Sequence, residues 1–285
     1  MRICLFTVCA PWAPLPELVA DLPALGYAGV EIPWRSWQHD PSRPPSFWGN
    51  NPAVLDWDDR GPGVQRLAEA LRASGCAGAS LASYAYVHET ERCLAGLRVA
   101  AQLGCPTLRV RMPLFDPAVG ARTQLADARR LLRDLAAPAA DAGVRLLAEQ
   151  HDGHLSASAS GALRLVDGCD PAVVGVLFDP ANMVQEGGEA LRMAIQLLGP
   201  YLQHVHVKDA RLTASTKPDA KRLLRARGEH TDLGQGWVDW PGVIAALRAE
   251  GYAGWLSVKD FGPSNRDRSA MAHQAAWVRG LVDGR

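Results

Sequence analysis

Eight short apolar runs, most of them separated by a stretch with helical spacing, constrain this chain more than any other feature. They are Ile3–Cys9, Gly29–Pro33, Gly78–Ser83, Thr107–Met112, Arg145–Glu149, Gly175–Phe178, His204–Val207 and Trp255–Val258. Runs of this length, bounded by turn residues, read as strands. The segments between them carry Ala, Leu and Arg at the spacing of amphipathic helices. "GVQRLAEALRASG" closes on Gly75 as a helix stop. "TQLADARRLLRDLAAPAADAG" holds Pro138 as a kink or a divide, and "DWPGVIAALRAEG" opens with Asp239 as an N-cap and a proline two places on. Eight strands alternating with helices in a chain of 285 residues predict a single (β/α)8 barrel spanning 1–285, with an open doubly wound sheet as the alternative. No G-x-G-x-x-G follows the first strand, which weakens a dinucleotide fold.

Composition narrows the partners. Lys plus Arg and Asp plus Glu number 30 each, and zero net charge argues against a dedicated nucleic-acid binder. No apolar run reaches roughly 20 residues, so no membrane span is expected. Six cysteines contain no C-x-x-C pair and read as free thiols of a cytoplasmic protein. The opening "MRICLFTVCAPW" reads as a first strand rather than a signal peptide, because Pro11 and Pro14 soon break it. Residues 39–60 and 211–236 are long polar stretches that follow strands, on the face where a parallel barrel places its active site. The basic run Lys217–Arg227 reads as a solvated helix face.

Alternation along the strands selects candidate site residues. In "RLLAEQH", Leu147, Glu149 and His151 share a face. In "GVLFDPAN", Leu177 and Asp179 do. In "QHVHVKDA", His204, His206 and Lys208 oppose Val205 and Val207, and in the last strand Ser257 and Lys259 oppose Val258 and Asp260. The valines belong under the helices, which turns the polar set inward at the barrel mouth. Glu149, Asp179, His206 and Lys259 then converge from four successive strands. Two carboxylates and an imidazole suit a divalent ion such as Mn²⁺, Mg²⁺, Co²⁺ or Zn²⁺, while capping and pairing of strand ends is the plain alternative.

The stretches "LLAEQH", "FDPANMVQEG", "YLQHVHVKDA" and "LGQGWVDWPGVIAALRAEGYAGWLSV" resemble the xylose isomerase-like TIM-barrel superfamily. It contains sugar and sugar-phosphate isomerases and epimerases, with inosose dehydratase and the endonuclease IV fold. The spacing H-x-H-x-K-D followed by G-x-G-x-x-D-W carries most of the likeness, and "GYAGVEIPW" is similar to the approach to the family's second strand. The resemblance implies that Glu149, Asp179 and His206 are metal ligands from the fifth, sixth and seventh strands. It also implies a fourth ligand, usually a Glu late in the eighth strand, where this chain has Lys259. Relatives are often dimers or tetramers, so a homo-oligomer is implied as well.

Lys259 then has three readings. Its ammonium replaces the metal between Glu149 and Asp179; or the metal stays and a neutral amine serves as base or ligand; or Lys259 swings out and Asp260 or a loop residue completes the set. Glu149, Lys259 and His151 are the catalytic candidates. His88, Arg109, Arg111, Asn182, Lys208 and Trp12 are the substrate-binding candidates, each weighed against a structural role. Arg109 or Arg111 could form a barrel-layer salt bridge, with Glu31 as a partner for either. Asn182 could shape a loop, and the tryptophans could pack in the core. His204 reads as a packed core histidine. Together these lead to an isomerase or epimerase of a polyhydroxy carbonyl compound working through a metal-stabilised enediolate. A dehydratase of an inosose-type substrate and a metal-free sugar-binding protein are the alternatives.

Overall fold

The computed structural model describes residues 1–37, 40, 42–59, 61–219 and 223–284. Its strands are β1 (Arg2–Phe6), β2 (Gly29–Arg35), β3 (Leu55–Asp56), β4 (Ala77–Tyr86), β5 (Thr107–Arg111), β6 (Arg145–Glu149), β7 (Val174–Phe178), β8 (Leu202–Val207), β9 (Asp209–Asp219), β10 (Leu224–Thr231) and β11 (Trp255–Val258). Its α-helices are α1 (Leu15–Asp21), α2 (Pro62–Ser74), α3 (Thr90–Gln102), α4 (Ala121–Asp141), α5 (Ala159–Val166), α6 (Pro180–Glu186), α7 (Leu191–Leu198), α8 (Trp240–Ala249) and α9 (Arg268–Asp283). Eight strands pair in parallel in the cyclic order β1, β2, β4, β5, β6, β7, β8, β11, and β1 closes the ring by pairing with both β2 and β11. Closure settles the choice between barrel and open sheet. Every one of the eight apolar runs supplies a barrel strand.

The main core lies between barrel and helices, where Val30, Leu108, Leu146, Val176, Val205 and Leu256 meet the apolar faces of α1 to α9. Burial of these faces is what holds short helices such as α5 and α7 in place. Gly75 ends α2 in the left-handed conformation, and the Asp239 side chain accepts from Gly242 N–H at the start of α8. α4 runs through Pro138 as one helix, because the lost N–H bond is a single rung in a long, well-packed element.

The basic run departs from expectation. Its described part lies on the antiparallel hairpin β9–β10, with Thr213 opposite Arg227; Ala220, Lys221 and Arg222 lie outside the described residues. Alternating polar side chains on a two-stranded ribbon have no apolar stripe to dock, and this run was read as a helix on charge alone. No helix among the described residues is long and apolar enough to cross a membrane.

Candidate active site

Four strand ends bring chemistry to one point. Glu149 ends β6, Asp179 directly follows β7, His206 is the penultimate residue of β8, and Lys259 directly follows β11. Donor atoms of Glu149, Asp179 and His206 lie within 4.8 Å of one another and could hold a metal ion. Lys259 sits among them. Its Nζ lies 2.9 Å from Glu149 Oε1, 3.2 Å from Asp179 Oδ2 and 3.2 Å from His206 Nδ1, so three ammonium protons meet three acceptors. All four residues are buried.

A second cation attends each carboxylate. Arg109 Nη1 is 3.1 Å from Glu149 Oε2, and its Nε and Nη2 donate to the Ser83 carbonyl. Lys208 Nζ is 3.6 Å from Asp179 Oδ2 and donates to Asn182 Oδ1. Asn182 in turn donates to Asp179 from its backbone N–H and its Nδ2. Burial opposes ionisation of Glu149, but Arg109 and Lys259 outweigh it and hold the carboxyl well below the usual carboxylate range. Asp179 is held low in the same way by Lys208 and Lys259. Burial also opposes the charge on Lys259, and Glu149 and Asp179 overcome it, raising the ammonium above the ordinary lysine value. For Lys208 burial wins over Asp179, and its value falls.

Beneath this layer, Glu31 accepts from Ser257 Oγ at 2.5 Å and lies 3.1 Å from both His204 Nε2 and His206 Nε2. His206 Nδ1 lies 3.2 Å from Asp179 Oδ2 as well as 3.2 Å from Lys259 Nζ; with the ring proton on Nε2 toward Glu31, the Nδ1 lone pair faces Lys259. Phe6 stacks on the same imidazole, with ring centroids 5.5 Å apart. An ion held by Glu149, Asp179 and His206 would take the point that Lys259 Nζ fills. The donors suit a divalent ion, and Lys259 Nζ stands among all three of them.

The remaining candidates divide between mouth and wall. Arg109 lies in the barrel layer, buried against Glu149. Arg111 is half-buried, 5.0 Å above the Tyr86 ring and 5.7 Å above that of Tyr84, and its guanidinium makes no hydrogen bond or ion pair among the described residues. His151 is half-buried with Nδ1 3.1 Å from Asp152 Oδ1. His88 is exposed and stacked on Tyr86. Asn182 and Lys208 are buried within the centre. Trp12 packs against the main core. Glu31 pairs with the two histidines, not with Arg109 or Arg111, because β2 points it across the barrel toward β8. Asp260 faces away, accepting from Gly262 N–H and Gln274 Nε2, so it does not supply a fourth ligand.

The elaborated loops meet over the mouth. Phe47 and Trp48 from one and His230 from the other all contact Phe261, at centroid distances of 5.3, 4.8 and 5.2 Å. Phe6, Tyr84, Tyr86 and Phe261 were not singled out by sequence reasoning. Alternation along "SYAY" could have found the two tyrosines, which share a face, whereas Phe261 follows the last strand and carries no periodic mark.

A parallel eight-stranded barrel with carboxylates, imidazole and ammonium at its C-terminal rim defines a class of barrel protein whose polar centre lies where this architecture places its active sites. Within that class the chain belongs to the xylose isomerase-like TIM barrel family, whose sequence profile matches residues 19–281. It is 31% identical over 159 residues to an inosose dehydratase of Geobacillus thermodenitrificans, covering 53% of this chain and 52% of that one. The chain thus spans about half the length of the curated relatives it matches. The fold is similar to that of 3-keto-D-glucoside 4-epimerase from E. coli, with a TM-score of 0.72 and 17% identity over 98% of this chain and 99% of that one. It is similar too to the IolI protein in a crystal structure with a bound zinc atom, with a TM-score of 0.74 and 16% identity over 100% and 99%.

Proposed function

We propose that this protein is an isomerase or epimerase of a keto-sugar or related polyhydroxy carbonyl compound. The observation that carries this reading is the meeting of two carboxylates, an imidazole and several cations at the rim of a barrel of this family. Dehydration of an inosose-type substrate is the second reading. The likeness to an inosose dehydratase favours it, and the same enolate leads there when a hydroxyl stands β to the carbonyl.

The side chains divide the work as follows. His151 is the base: Asp152 holds its Nδ1 proton, so Nε2 can take a proton α to the carbonyl. Lys259 and Lys208 place positive charge where the enolate oxygen develops, in a water-poor site where such charge counts most. Glu149 and Asp179 fix Lys259. Glu149 is a weak base itself, because two cations hold its carboxyl low. Arg111, stacked on Tyr84 and Tyr86, binds a substrate oxygen, and the aromatic ring of Phe47, Trp48 and Phe261 covers C–H faces. The protein acts on a small molecule, without nucleic acid or membrane, in the cytoplasm and as a homo-oligomer.

The test is proton exchange. The protein is incubated in D2O with a panel of ketoses, 3-keto-glucosides and inososes, and the carbon-bound protons are followed by NMR. Deuterium entering a position α to the carbonyl is expected, with epimer, isomer or enone identifying the outcome. A folded protein that binds members of the panel and exchanges none of their protons would be a binding protein.

A further inference from the structure

We infer that Lys259 is a built-in cation that takes the place of a divalent ion, so that this protein assembles its centre without metal. The inference rests on the geometry of the centre and deepens the proposed reaction. Metal content is read without substrate and proton exchange without added metal, so either can fail alone.

Three observations converge. The ammonium lies 2.9 to 3.2 Å from one atom of each potential ligand, and its three protons are all used. A metal ion would have to displace it, since both cannot lie within hydrogen-bonding distance of the same three atoms. The charges of the centre and of the layer beneath it are also balanced: Lys259, Lys208 and Arg109 stand against Glu149, Asp179 and Glu31. A divalent ion added beside Lys259 would leave two positive charges without partners in a site of low dielectric. The second group of potential ligands is closed as well. Glu31, His204 and His206 could hold an ion by spacing, yet the carboxylate already receives Ser257 and both imidazoles.

The substitution has a chemical consequence. A divalent ion can offer two open coordination positions to adjacent oxygens of a diol or ketol. An ammonium with three bonded acceptors offers none until one of them lets go. The substrate oxygen therefore meets Lys259 only by displacing an acceptor, and the softest contacts are the 3.2 Å ones to Asp179 and His206. Lys259 is also tethered, so no chelator can strip the centre.

The experiment is elemental analysis and thermal unfolding of wild type, Lys259→Glu and Asp179→Asn, purified without chelator and then dialysed against Mn²⁺, Co²⁺ or Zn²⁺. Wild type is expected to carry less than about a tenth of an equivalent, with a melting temperature unmoved by the ions. Lys259→Glu, which restores a third carboxylate, is expected to take up about one equivalent and to melt higher with ion than without. An ion on wild type that survives Asp179→Asn binds elsewhere and leaves the inference standing. About one equivalent on wild type, lost in Asp179→Asn, overturns it. Should Lys259→Glu fail to fold, the wild-type and Asp179→Asn pair still decides.

Discussion

At the scale of the residue, Lys259 shows how much a single side chain can redirect a site. Its three contacts are short, buried and charged, and each partner has been desolvated to make them. Replacing Lys259 with Met removes the cation and leaves Glu149 Oε1 and Asp179 Oδ2 facing each other in the barrel. Breaking one side of such a pair costs about 3–5 kcal/mol, and urea unfolding should register a loss of that order. Neutralising Asp179 as well should relieve part of the damage. The double variant Lys259→Met, Asp179→Asn is therefore expected to lose about 0.5–3 kcal/mol less than the sum of the singles. Strict additivity would mean that the two groups do not sense each other. That Lys259 points inward was legible from alternation with Val258. That it would meet His206 Nδ1 was not. The orientation of that imidazole depends on Glu31, which comes from β2 across the barrel, and no spacing along one strand reports a partner from another.

Elements show the same division between what repeats and what does not. The eight barrel strands were legible because burial on both faces makes each a near-continuous apolar run. The polar strand ends were legible because the side-chain period is two. The hairpin β9–β10 was not, since a solvated ribbon with charges on both faces has no periodic apolar mark. Of the aromatic cover, Trp48 was among the tryptophans weighed from sequence, whereas Phe47 and Phe261 were missed for a related reason: they come from irregular segments whose contacts are set by the barrel beneath them. One close approach inside the barrel can be tested directly. Gly29 starts β2 where a Cβ would stand 2.6 Å from the Trp255 ring and 2.9 Å from the Ala77 carbonyl oxygen. The ring belongs to a packed layer at the barrel base and the carbonyl to the backbone of β4, so neither can give freely. Gly29→Ala should cost about 1–3 kcal/mol by overpacking. A melting curve indistinguishable from wild type would show that the base of the barrel has slack.

Across the whole molecule, buried titratable groups of opposite sense shape stability in acid. His154 and His230 are pushed down to about 4, in each case chiefly by burial, with His151 adding to the first and Lys208 and Lys259 to the second. Unfolding restores a value near 6.5. The unfolded chain therefore binds protons first, and stability is lost as pH falls from about 6.5 toward 4. Asp260 works the other way. Burial raises its carboxyl to about 6, against about 3.9 unfolded, so its contribution is present below about pH 4 and lost as pH rises through about 6. Acidification from 7 to 4 thus removes two histidine contributions and restores only the one from Asp260, so wild type should lose stability over that range, by less than the histidines alone would take. Below about 4 the sense is single. Glu149 and Asp179 stabilise above the unfolded carboxyl value, and that contribution is lost as protons reach them, giving a steep final limb. Asp260→Asn separates the two effects. Gln274 Oε1 has no hydrogen-bond partner among the described residues and can turn to accept from the introduced amide, so the substitution removes the titration with little loss of hydrogen bonding. Urea unfolding at pH 4, 5, 6 and 7 should then show the variant losing about 1–3 kcal/mol more than wild type between pH 7 and 4. Parallel curves for the two proteins would mean that Asp260 titrates in the folded barrel as it does in the unfolded chain.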